Sequence, residues 1–368
     1  MATPNNKPGL KQRVALELDR VLRHHLVEEH PLQQLFWECT LRCGLSCRHC
    51  GSDCKTETLH PDMPKEDFLR VLDRIKDKLD PHHCMIIFSG GEPLMRKDLE
   101  ECGLEVYRRG FPWGMVTNGM LLTEERFKSL VKSGLRSITV SFDGFEEDHN
   151  WMRGNPKSFE NALRAIGLFT RTKNLTWDIV TCVNQRNIKR LDEFADYLVS
   201  IGVKRWRLAT IFPAGRAAGD PELQISQEQY RQVLDLIVRL REEGKIHASF
   251  ACEGFLGGYE GKVRDYLYRC AAGVTVASIR IDGSISGCTS VRGRFDQGNI
   301  YQDDFWEVWQ NRFQEFRDRS WAKQGACADC KYFRYCEGNG MHLYDDNRHL
   351  AKCNLPYPPF AVGKHTAE

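Results

Sequence analysis

The stretch Glu38-Cys39-Thr40-Leu41-Arg42-Cys43-Gly44-Leu45-Ser46-Cys47-Arg48-His49-Cys50 decides how this chain folds and what it binds. Its cysteines Cys43, Cys47 and Cys50 have the spacing C-x3-C-x2-C and follow an apolar run that is typical of a β-strand. Three thiolates on one short loop can ligate three irons of a cubane cluster, which leaves the fourth iron open to a small molecule. A structural zinc site is the alternative, but such sites usually use four ligands, often as two C-x2-C pairs. The spacing therefore favours an iron–sulfur cluster with one open iron.

A second motif, Ile86-Ile87-Phe88-Ser89-Gly90-Gly91-Glu92-Pro93, is an apolar strand that runs into two glycines, an acid and a proline. Alone, a Gly-Gly pair indicates only a turn after a strand. Together, the cysteine spacing and this motif resemble the two signatures of the radical S-adenosylmethionine (SAM) enzymes. The resemblance implies that the open iron binds SAM, that one electron cleaves SAM to a 5′-deoxyadenosyl radical, and that the SAM ammonium group is received by Gly90, Gly91, Glu92 and Pro93.

Strand-like apolar runs alternate with helical patterns after residue 34. We predict six strands, at 35–39, 85–88, 113–117, 137–141, 176–183 and 205–211, separated by helices. Buried, β-branched strands that alternate with helices favour a parallel sheet covered by helices. The resemblance implies an α/β fold, a partial (β/α)6 TIM-like barrel, with its chemistry at the carboxyl ends of the strands.

Polar residues end several of these strands: Asn118 the third, Ser141 and Asp143 the fourth, and Asn184 the fifth. Arg153 follows in Trp151-Met152-Arg153-Gly154. The resemblance implies that all five residues line the SAM pocket, and that the Arg153 guanidinium, a group well shaped for a carboxylate, binds the carboxylate of SAM. Turn formation by Asn118 and Asp143 and a surface ion pair of Arg153 are the alternatives.

The C-terminal third carries a second group of cysteines. Cys270-x12-Gly283-x4-Cys288 is followed by a C-x2-C-x5-C motif and one distant cysteine. The pattern resembles the SPASM domain, which holds auxiliary [4Fe–4S] clusters. The resemblance implies that one auxiliary cluster is ligated by Cys327, Cys330, Cys336 and Cys353. A zinc ion on the same four thiolates is the alternative.

This second group departs from the family pattern, which has a cysteine where this chain has Gly340. Cys270 and Cys288 therefore lack partner ligands. Cys252 and His342 are the candidates for these missing ligands. The first auxiliary cluster is absent, incompletely ligated or open to substrate. We expect two well-ligated clusters, with about eight irons per chain. The remaining cysteines are interpreted as core thiols: Cys39, Cys54, Cys84, Cys102 and Cys182.

These signatures divide the chain into four predicted regions. They are an N-terminal helical extension at 1–34, a radical SAM partial barrel at 35–216, a bridging region at 217–264 and a SPASM domain at 265–368.

Composition narrows the class of protein. The 368 residues include 52 basic and 50 acidic side chains, for a formal net charge of +2, and no long basic tract, so nucleic acid is not expected as a partner. No secretory signal and no run of 18 apolar residues is found, so no membrane span is expected. Fifteen cysteines in such a chain indicate metal or redox chemistry rather than disulfides. We therefore expect a cytoplasmic protein.

The resemblance implies a substrate class. We expect hydrogen abstraction from a peptide or protein side chain, leading to crosslinking or oxidation, with an electron donor such as flavodoxin or ferredoxin. Thr289 stands where sulfatase maturases place an acidic base, which disfavours that activity. Maturation of a small cofactor is the second expectation. A non-catalytic iron–sulfur carrier is the third, although it needs neither Glu92 nor Arg153. No catalytic residue is assigned beyond the clusters.

Overall fold

The computed structural model describes residues 7–353 except 59, 292, 294 and 346, together with residue 355. The first six residues of the predicted extension and most of the last fifteen residues of the predicted SPASM domain lie outside this part.

Within the described residues, ten strands form one open sheet. In chain order they are β1 (Gln34–Thr40), β2 (Met85–Gly90), β3 (Trp113–Thr117), β4 (Leu135–Ser141), β5 (Thr176–Cys182), β6 (Arg205–Ala209), β7 (His247–Phe250), β8 (Val276–Ile279), β9 (Ser284–Ser286) and β10 (Gly298–Asn299). Their spatial order is β10-β9-β8-β1-β2-β3-β4-β5-β6-β7. Every pairing from β8–β1 to β6–β7 is parallel, whereas β9 pairs antiparallel with β8 and β10.

The α-helices among the described residues cover this sheet. They are α1 (Leu10–Glu29), α2 (Lys65–Ile75), α3 (Leu99–Arg108), α4 (Glu124–Lys132), α5 (Glu146–Arg153), α6 (Ser158–Thr170), α7 (Leu191–Ser200), α8 (Gln227–Glu243), α9 (Phe305–Asn311), α10 (Gln314–Arg317) and α11 (Phe333–Cys336). None of them is both long enough and apolar enough to cross a membrane.

The outer face of the sheet is packed by large aromatic side chains. Trp37 on β1 stacks on Phe68 of α2 with ring centroids 4.4 Å apart, and Phe88 on β2 stacks on Trp113 of β3 at 5.0 Å. All four side chains are buried. Each such residue removes a large apolar area from water, so this layer fixes the helices against the parallel strands.

The predicted α/β fold with a partial, unclosed barrel is confirmed. The structure adds a seventh parallel strand, because β7 pairs with β6 and α8 connects the two. Ser226 caps the start of α8 and Gly244, with φ of +69°, ends it. Helix α8 lies within the predicted bridging region and is therefore a crossover helix of the barrel, and the sheet continues through that region.

Two elements join the barrel to the C-terminal region. Strand β8 pairs directly with β1, so the two regions share one sheet. Helix α1 packs against the C-terminal cysteine region, where the Arg23 guanidinium donates to the carbonyl oxygens of Tyr335 (2.6 Å) and Tyr268 (3.1 Å). Leu16 lies in an apolar cluster with the same two tyrosines. The N-terminal helix is thus bound to the SPASM-like region rather than projecting from the barrel.

Candidate active site

The three cysteines of the first motif lie together on the loop that follows β1. Cys43 and Cys47 are buried and Cys50 is half-buried. The pKa of Cys43 is raised to about 11, mainly by burial and further by nearby Glu92 and the other two sulfurs. Iron ligation requires thiolates, so the positive charge of a bound cluster is what would stabilise the deprotonated form here.

Two side chains direct N–H groups at these sulfurs. Asn118 Nδ2 lies 3.7 Å from Cys43 Sγ, and Arg153 Nη1 lies 3.8 Å from Cys47 Sγ. Hydrogen bonds to cluster sulfurs stabilise thiolate ligands and tune the reduction potential. The donor set and its surroundings therefore fit an iron–sulfur cluster on this loop.

The loop after β6 holds the cluster loop from the other side. The backbone N–H of Arg216 donates to the Cys50 carbonyl (3.0 Å), and its Nε donates to the Cys47 carbonyl (2.8 Å). Gly215 has φ of +56°, and a Cβ there would lie 2.5 Å from the Cys50 oxygen. This close approach fixes the backbone around two predicted ligands.

The glycine pair allows β2 to approach the cluster loop closely. Gly91 N–H donates to the Thr40 carbonyl and Glu92 N–H to the Arg42 carbonyl, both at 2.8 Å. A Cβ on Gly90 would lie 2.1 Å from the Thr40 oxygen, and one on Gly91 would lie 2.3 Å from the Arg42 oxygen. The structure therefore gives these glycines a packing role that stands beside their predicted contact with SAM.

The carboxylate of Glu92 links the ends of β2 and β3. Its oxygens accept from the Thr117 hydroxyl (2.8 Å), the Asn118 N–H (2.7 Å) and the Leu94 N–H (3.1 Å). Burial raises the pKa of Glu92 above its usual value, and these donors oppose that rise. Pro93 begins the short 3-10 turn that follows. Glu92 thus has a structural role that the sequence did not predict, and its contact with the SAM ammonium group stays a prediction.

Asp143 and Arg153 form a buried ion pair beside the cluster loop. Both Nε and Nη2 of Arg153 donate to Asp143 Oδ2 at 2.7 Å. The other oxygen, Oδ1, accepts from the Cys182 N–H at 2.9 Å, and the Asp143 N–H donates to His149 Nδ1 at 3.0 Å. Burial alone would raise the pKa of Asp143, but Arg153 holds it far below its usual range. The surface ion pair considered for Arg153 is therefore wrong, since this pair is buried.

The predicted strand-end residues differ in what their side chains do. Ser141 is buried at the end of β4, next to the Asp143 pair. The Asn118 oxygen accepts from the Met120 N–H (2.9 Å) while its amide nitrogen faces a cysteine. The Asn184 oxygen instead accepts from the N–H groups of Arg186 and Asn187. Asn184 therefore holds a turn, and its contact with SAM stays a prediction.

One cysteine near this site was not predicted to belong to it. The Cys54 thiol is hydrogen-bonded to Cys50, and this contact lowers the pKa of Cys50 to about 5. Cys54 is buried in the same apolar cluster as Cys43 and Cys47. Its position four residues after Cys50 is the only sequence signal, and a C-x3-C spacing alone does not separate a ligand from a core thiol.

The interior of the barrel contains a cavity of about 840 Å³. Inward-facing residues from seven strands line it, among them Phe36 on β1, Asp178 on β5 and Arg207 on β6. Asp178 accepts from Arg207 at 3.0 Å and from Thr139 at 2.6 Å. The cluster loop and the Asp143–Arg153 pair lie at the carboxyl ends of these same strands, whereas the residues that line the cavity come mainly from their amino-terminal halves.

The predicted auxiliary ligands Cys327, Cys330, Cys336 and Cys353 also lie together. The pKa of Cys336 is raised to about 12, mainly by burial and further by the other three sulfurs. Asn339 Nδ2 lies 3.7 Å from Cys353 Sγ. The four residues fit one set of thiolate ligands.

The structure brings Cys252 to the two cysteines that the sequence left without partners. Cys252, Cys270 and Cys288 line one cavity of about 750 Å³. Cys252 is an exposed residue at this cavity, and the pKa of its thiol is raised by partial desolvation and further by the nearby Cys270 and Cys288. This cavity shares the side chains of Phe36 and Arg207 with the barrel cavity, so the two adjoin.

Comparison with known families matches two parts of the chain. The model of the radical SAM superfamily matches residues 37–198, and that of an iron–sulfur cluster-binding domain, SPASM, matches residues 270–331.

Individual relatives cover most of the chain. The AdoMet-dependent heme synthase of Nitratidesulfovibrio vulgaris is 27% identical over 336 residues, which cover 86% of this chain and 89% of that protein. The mycofactocin maturase MftC of Mycolicibacterium smegmatis is 30% identical over 321 residues, covering 83% and 77%. Among solved structures, SuiB of Streptococcus suis bound to S-adenosylmethionine superposes with a TM-score of 0.66 at 17% identity, covering 88% of this chain and 77% of SuiB. At 17% identity, the similarity to SuiB shows a shared fold.

Proposed function

Because this chain belongs to the radical SAM superfamily and carries a C-terminal SPASM domain, we propose that it abstracts hydrogen from a side chain of a peptide or protein substrate. The chain is an enzyme of this superfamily, and its cofactors are SAM, the [4Fe–4S] cluster that binds SAM, and auxiliary [4Fe–4S] clusters. When bound, the first cluster supplies the electron that converts SAM to a 5′-deoxyadenosyl radical.

One observation carries this proposal. The Cys43–Cys50 loop and the Asp143–Arg153 pair lie at the carboxyl ends of the parallel strands whose amino-terminal halves line the barrel cavity of about 840 Å³. A cavity of that size accommodates an amino-acid side chain with part of its backbone. A substrate side chain that enters the barrel from the carboxyl ends of the strands would pass the place where the radical is generated.

The residues of the chain bind, orient and exclude water. Asp143 fixes the Arg153 guanidinium by two hydrogen bonds, so that its remaining Nη1 faces the cluster loop, where it would receive the carboxylate of SAM. Gly90 and Gly91 keep β2 against the loop. The apolar shell of Leu45 and Met120 around the cysteines limits the access of water to a reactive radical.

Two ionisable groups face the second cavity, where an oxidised substrate could lose its proton. Glu253 accepts from the N–H and the hydroxyl of Thr210, and burial raises its pKa. Lys352 Nζ donates to the same hydroxyl at 3.2 Å, and burial lowers its pKa. The raised pKa of the Glu253 carboxyl and the lowered pKa of the Lys352 ammonium both lie closer to neutral pH. Groups with such pKa values are suited to proton transfer.

A label-transfer experiment tests the proposal. The reconstituted enzyme is incubated anaerobically with SAM, dithionite and peptides encoded by neighbouring reading frames, each synthesised with deuterated side chains. Deuterium in the released 5′-deoxyadenosine identifies the peptide and the position of abstraction. If 5′-deoxyadenosine forms but no peptide transfers deuterium or changes mass, the enzyme chemistry holds and the peptide assignment fails.

Maturation of a small cofactor is the second candidate, and the relatives named heme synthase favour it. The same assay with an iron porphyrin in place of the peptide separates the two candidates. Loss of carbon or hydrogen from the porphyrin, with one 5′-deoxyadenosine per event, would support the cofactor and contradict the peptide. The proposed electron donor is flavodoxin or ferredoxin, and the proposed compartment is the cytoplasm.

A further inference from the structure

The cavity around Cys252, Cys270 and Cys288 is lined by three thiols that the two predicted clusters do not use. Cys252 lies two residues after β7, Cys270 precedes β8, and Cys288 follows β9. Three different parts of the chain thus place a thiol on one cavity wall. Cysteine thiolates are the ligands that iron–sulfur clusters use.

The side chain of His342 occupies the place of the missing family cysteine. A Cβ on Gly340 would lie 2.7 Å from His342 Cε1 and 2.8 Å from its Nδ1. Gly340 has φ of −72°, which any residue adopts, so the backbone itself does not require glycine. His342 lines the same cavity as the three cysteines. The imidazole therefore stands where the fourth thiolate of the family pattern would begin.

A buried hydroxyl group next to this place has no partner. Tyr268 is fully buried, and within the described part of the chain its Oη makes no hydrogen bond. It would lie 3.1 Å from a Cβ on Gly340, and it is two residues from Cys270. An unsatisfied buried hydroxyl is costly. A bound group with acceptor atoms, such as the sulfides of a cluster, would accept a hydrogen bond from it.

We propose that Cys252, Cys270 and Cys288 ligate a second auxiliary [4Fe–4S] cluster, and that the His342 imidazole is its fourth ligand. Cys252 then replaces a thiolate of the family pattern, and His342 replaces the cysteine that Gly340 lacks. The four side chains line a cavity that adjoins the barrel interior, and a cluster held there would supply an acceptor for one electron from a substrate radical. The proposal rests on the superfamily chemistry but does not depend on the identity of the substrate.

Iron analysis provides the first test. The full chain, reconstituted anaerobically, is expected to contain about twelve irons and twelve sulfides instead of the eight expected from the sequence. The variants Cys252→Ala and Cys270→Ala/Cys288→Ala are expected to contain about eight. Cys84→Ala, which removes a buried thiol outside these sites, is the matched control and should keep twelve. A wild-type value that stays near eight would overturn the proposal.

Pulsed EPR tests the histidine separately from activity. In the background Cys43→Ala/Cys47→Ala/Cys50→Ala, the reduced auxiliary clusters are expected to show a strongly coupled nitrogen that shifts on labelling with ¹⁵N-histidine. His342→Ala should abolish this coupling, whereas the exposed His349→Ala should retain it. Twelve irons without such coupling would exclude His342 as the ligand and leave the fourth position open.

A ligand exchange gives the converse result. The double variant Gly340→Cys/His342→Ala places a cysteine at the family position and removes the ring with which it would collide. It is expected to keep twelve irons, lose the nitrogen coupling and have a lower midpoint potential, because replacement of thiolate by imidazole raises the potential of a cluster. An unchanged potential would contradict histidine ligation. Release of 5′-deoxyadenosine by the wild type, measured in parallel, keeps the proposed function testable whichever result is obtained.

Discussion

Asp143 and Arg153 remain charged in the protein interior because each compensates the charge of the other. Both are buried, so either one alone would leave an uncompensated charge in the interior. The folded-state pKa of Asp143 lies below its unfolded value, so the pair stabilises the fold above about pH 4 and loses this contribution only under more acidic conditions. Near neutral pH, the ionised Asp143 therefore keeps the Arg153 guanidinium in one orientation.

Replacing this guanidinium should weaken SAM binding. Arg153→Ala is expected to cost about 1.5–3 kcal/mol, or about ten- to a hundredfold in Kd, because a charge-assisted contact is lost. Anaerobic calorimetry on the reconstituted protein measures this. Arg186→Ala is the control, since that side chain pairs with Glu147 and Asp148 instead. Equal SAM affinity in Arg153→Ala and the wild type would contradict the assigned pocket.

Removing the first cluster should leave the auxiliary clusters in place. The triple variant Cys43→Ala/Cys47→Ala/Cys50→Ala is expected to lose about four irons per chain and all SAM cleavage, because the three thiolates are the only protein ligands assigned to that cluster. Iron analysis and 5′-deoxyadenosine release are the measurements. The single variant Cys54→Ala is the control. It should retain these irons, because Cys54 is not assigned as a cluster ligand. An unchanged iron content in the triple variant would refute the assignment.

The positions of residues at the predicted strand ends indicated which of them lie near the first site. These positions could not predict the hydrogen-bond partners of their side chains. Asn118 and Asn184 each end a strand, and asparagine suits both a turn and a ligand contact. Only the folded chain shows that Asn118 directs its amide at Cys43 and that Asn184 caps its own turn. Likewise, Cys252 is brought to Cys270 by β7, which has no strong pattern in the sequence.

At the level of elements, the ends of β2 and α5 press on the cluster loop. Gly91 contacts the backbone of Arg42 without room for a side chain. The carbonyl of Met152, near the end of α5, accepts from the Arg48 N–H at 2.9 Å. The loop geometry is thus set by neighbouring backbone as well as by its own residues.

A methyl group at this contact should displace the loop. Gly91→Ala is expected to lower iron loading and SAM cleavage strongly, since its Cβ would meet backbone atoms of residues 41 and 42. Gly167→Ala is the control: nothing lies within 4 Å of that Cβ, and the change within α6 should stabilise the fold by about 0.5–1 kcal/mol. Normal iron content in Gly91→Ala would show that the loop adapts.

Long apolar elements were predictable and short ones were not. The six predicted strands are present, because β-branched runs such as that of β4 carry a strong signal. Strand β7 has four residues and alternates polar His247 and Ser249 with apolar ones. Helix α5 has eight residues and mostly charged or polar side chains, so its apolar face is too short to recognise.

At the level of the whole molecule, α1 stabilises the auxiliary region. Arg23 binds two carbonyls there and pairs with Asp19 and Glu337. Arg23→Ala is expected to cost about 1.5–3 kcal/mol and to accelerate iron loss from the auxiliary site under chelator. Arg20→Ala, on the exposed side of the same helix, should change stability by less than about 0.5 kcal/mol. Equal chelator sensitivity of both variants would contradict this role of α1.

The pairing of β1 with β8 has a consequence for biosynthesis. Gln34 pairs with Val276, so one edge of β1 stays open until the last third of the chain has left the ribosome. An open parallel edge attracts other strands, and such long-range pairing forms slowly. A nascent chain halted at residue 264 should therefore associate with its neighbours through β1 instead of yielding a soluble barrel. We therefore expect the first cysteine loop to acquire its cluster after β8 has paired with β1.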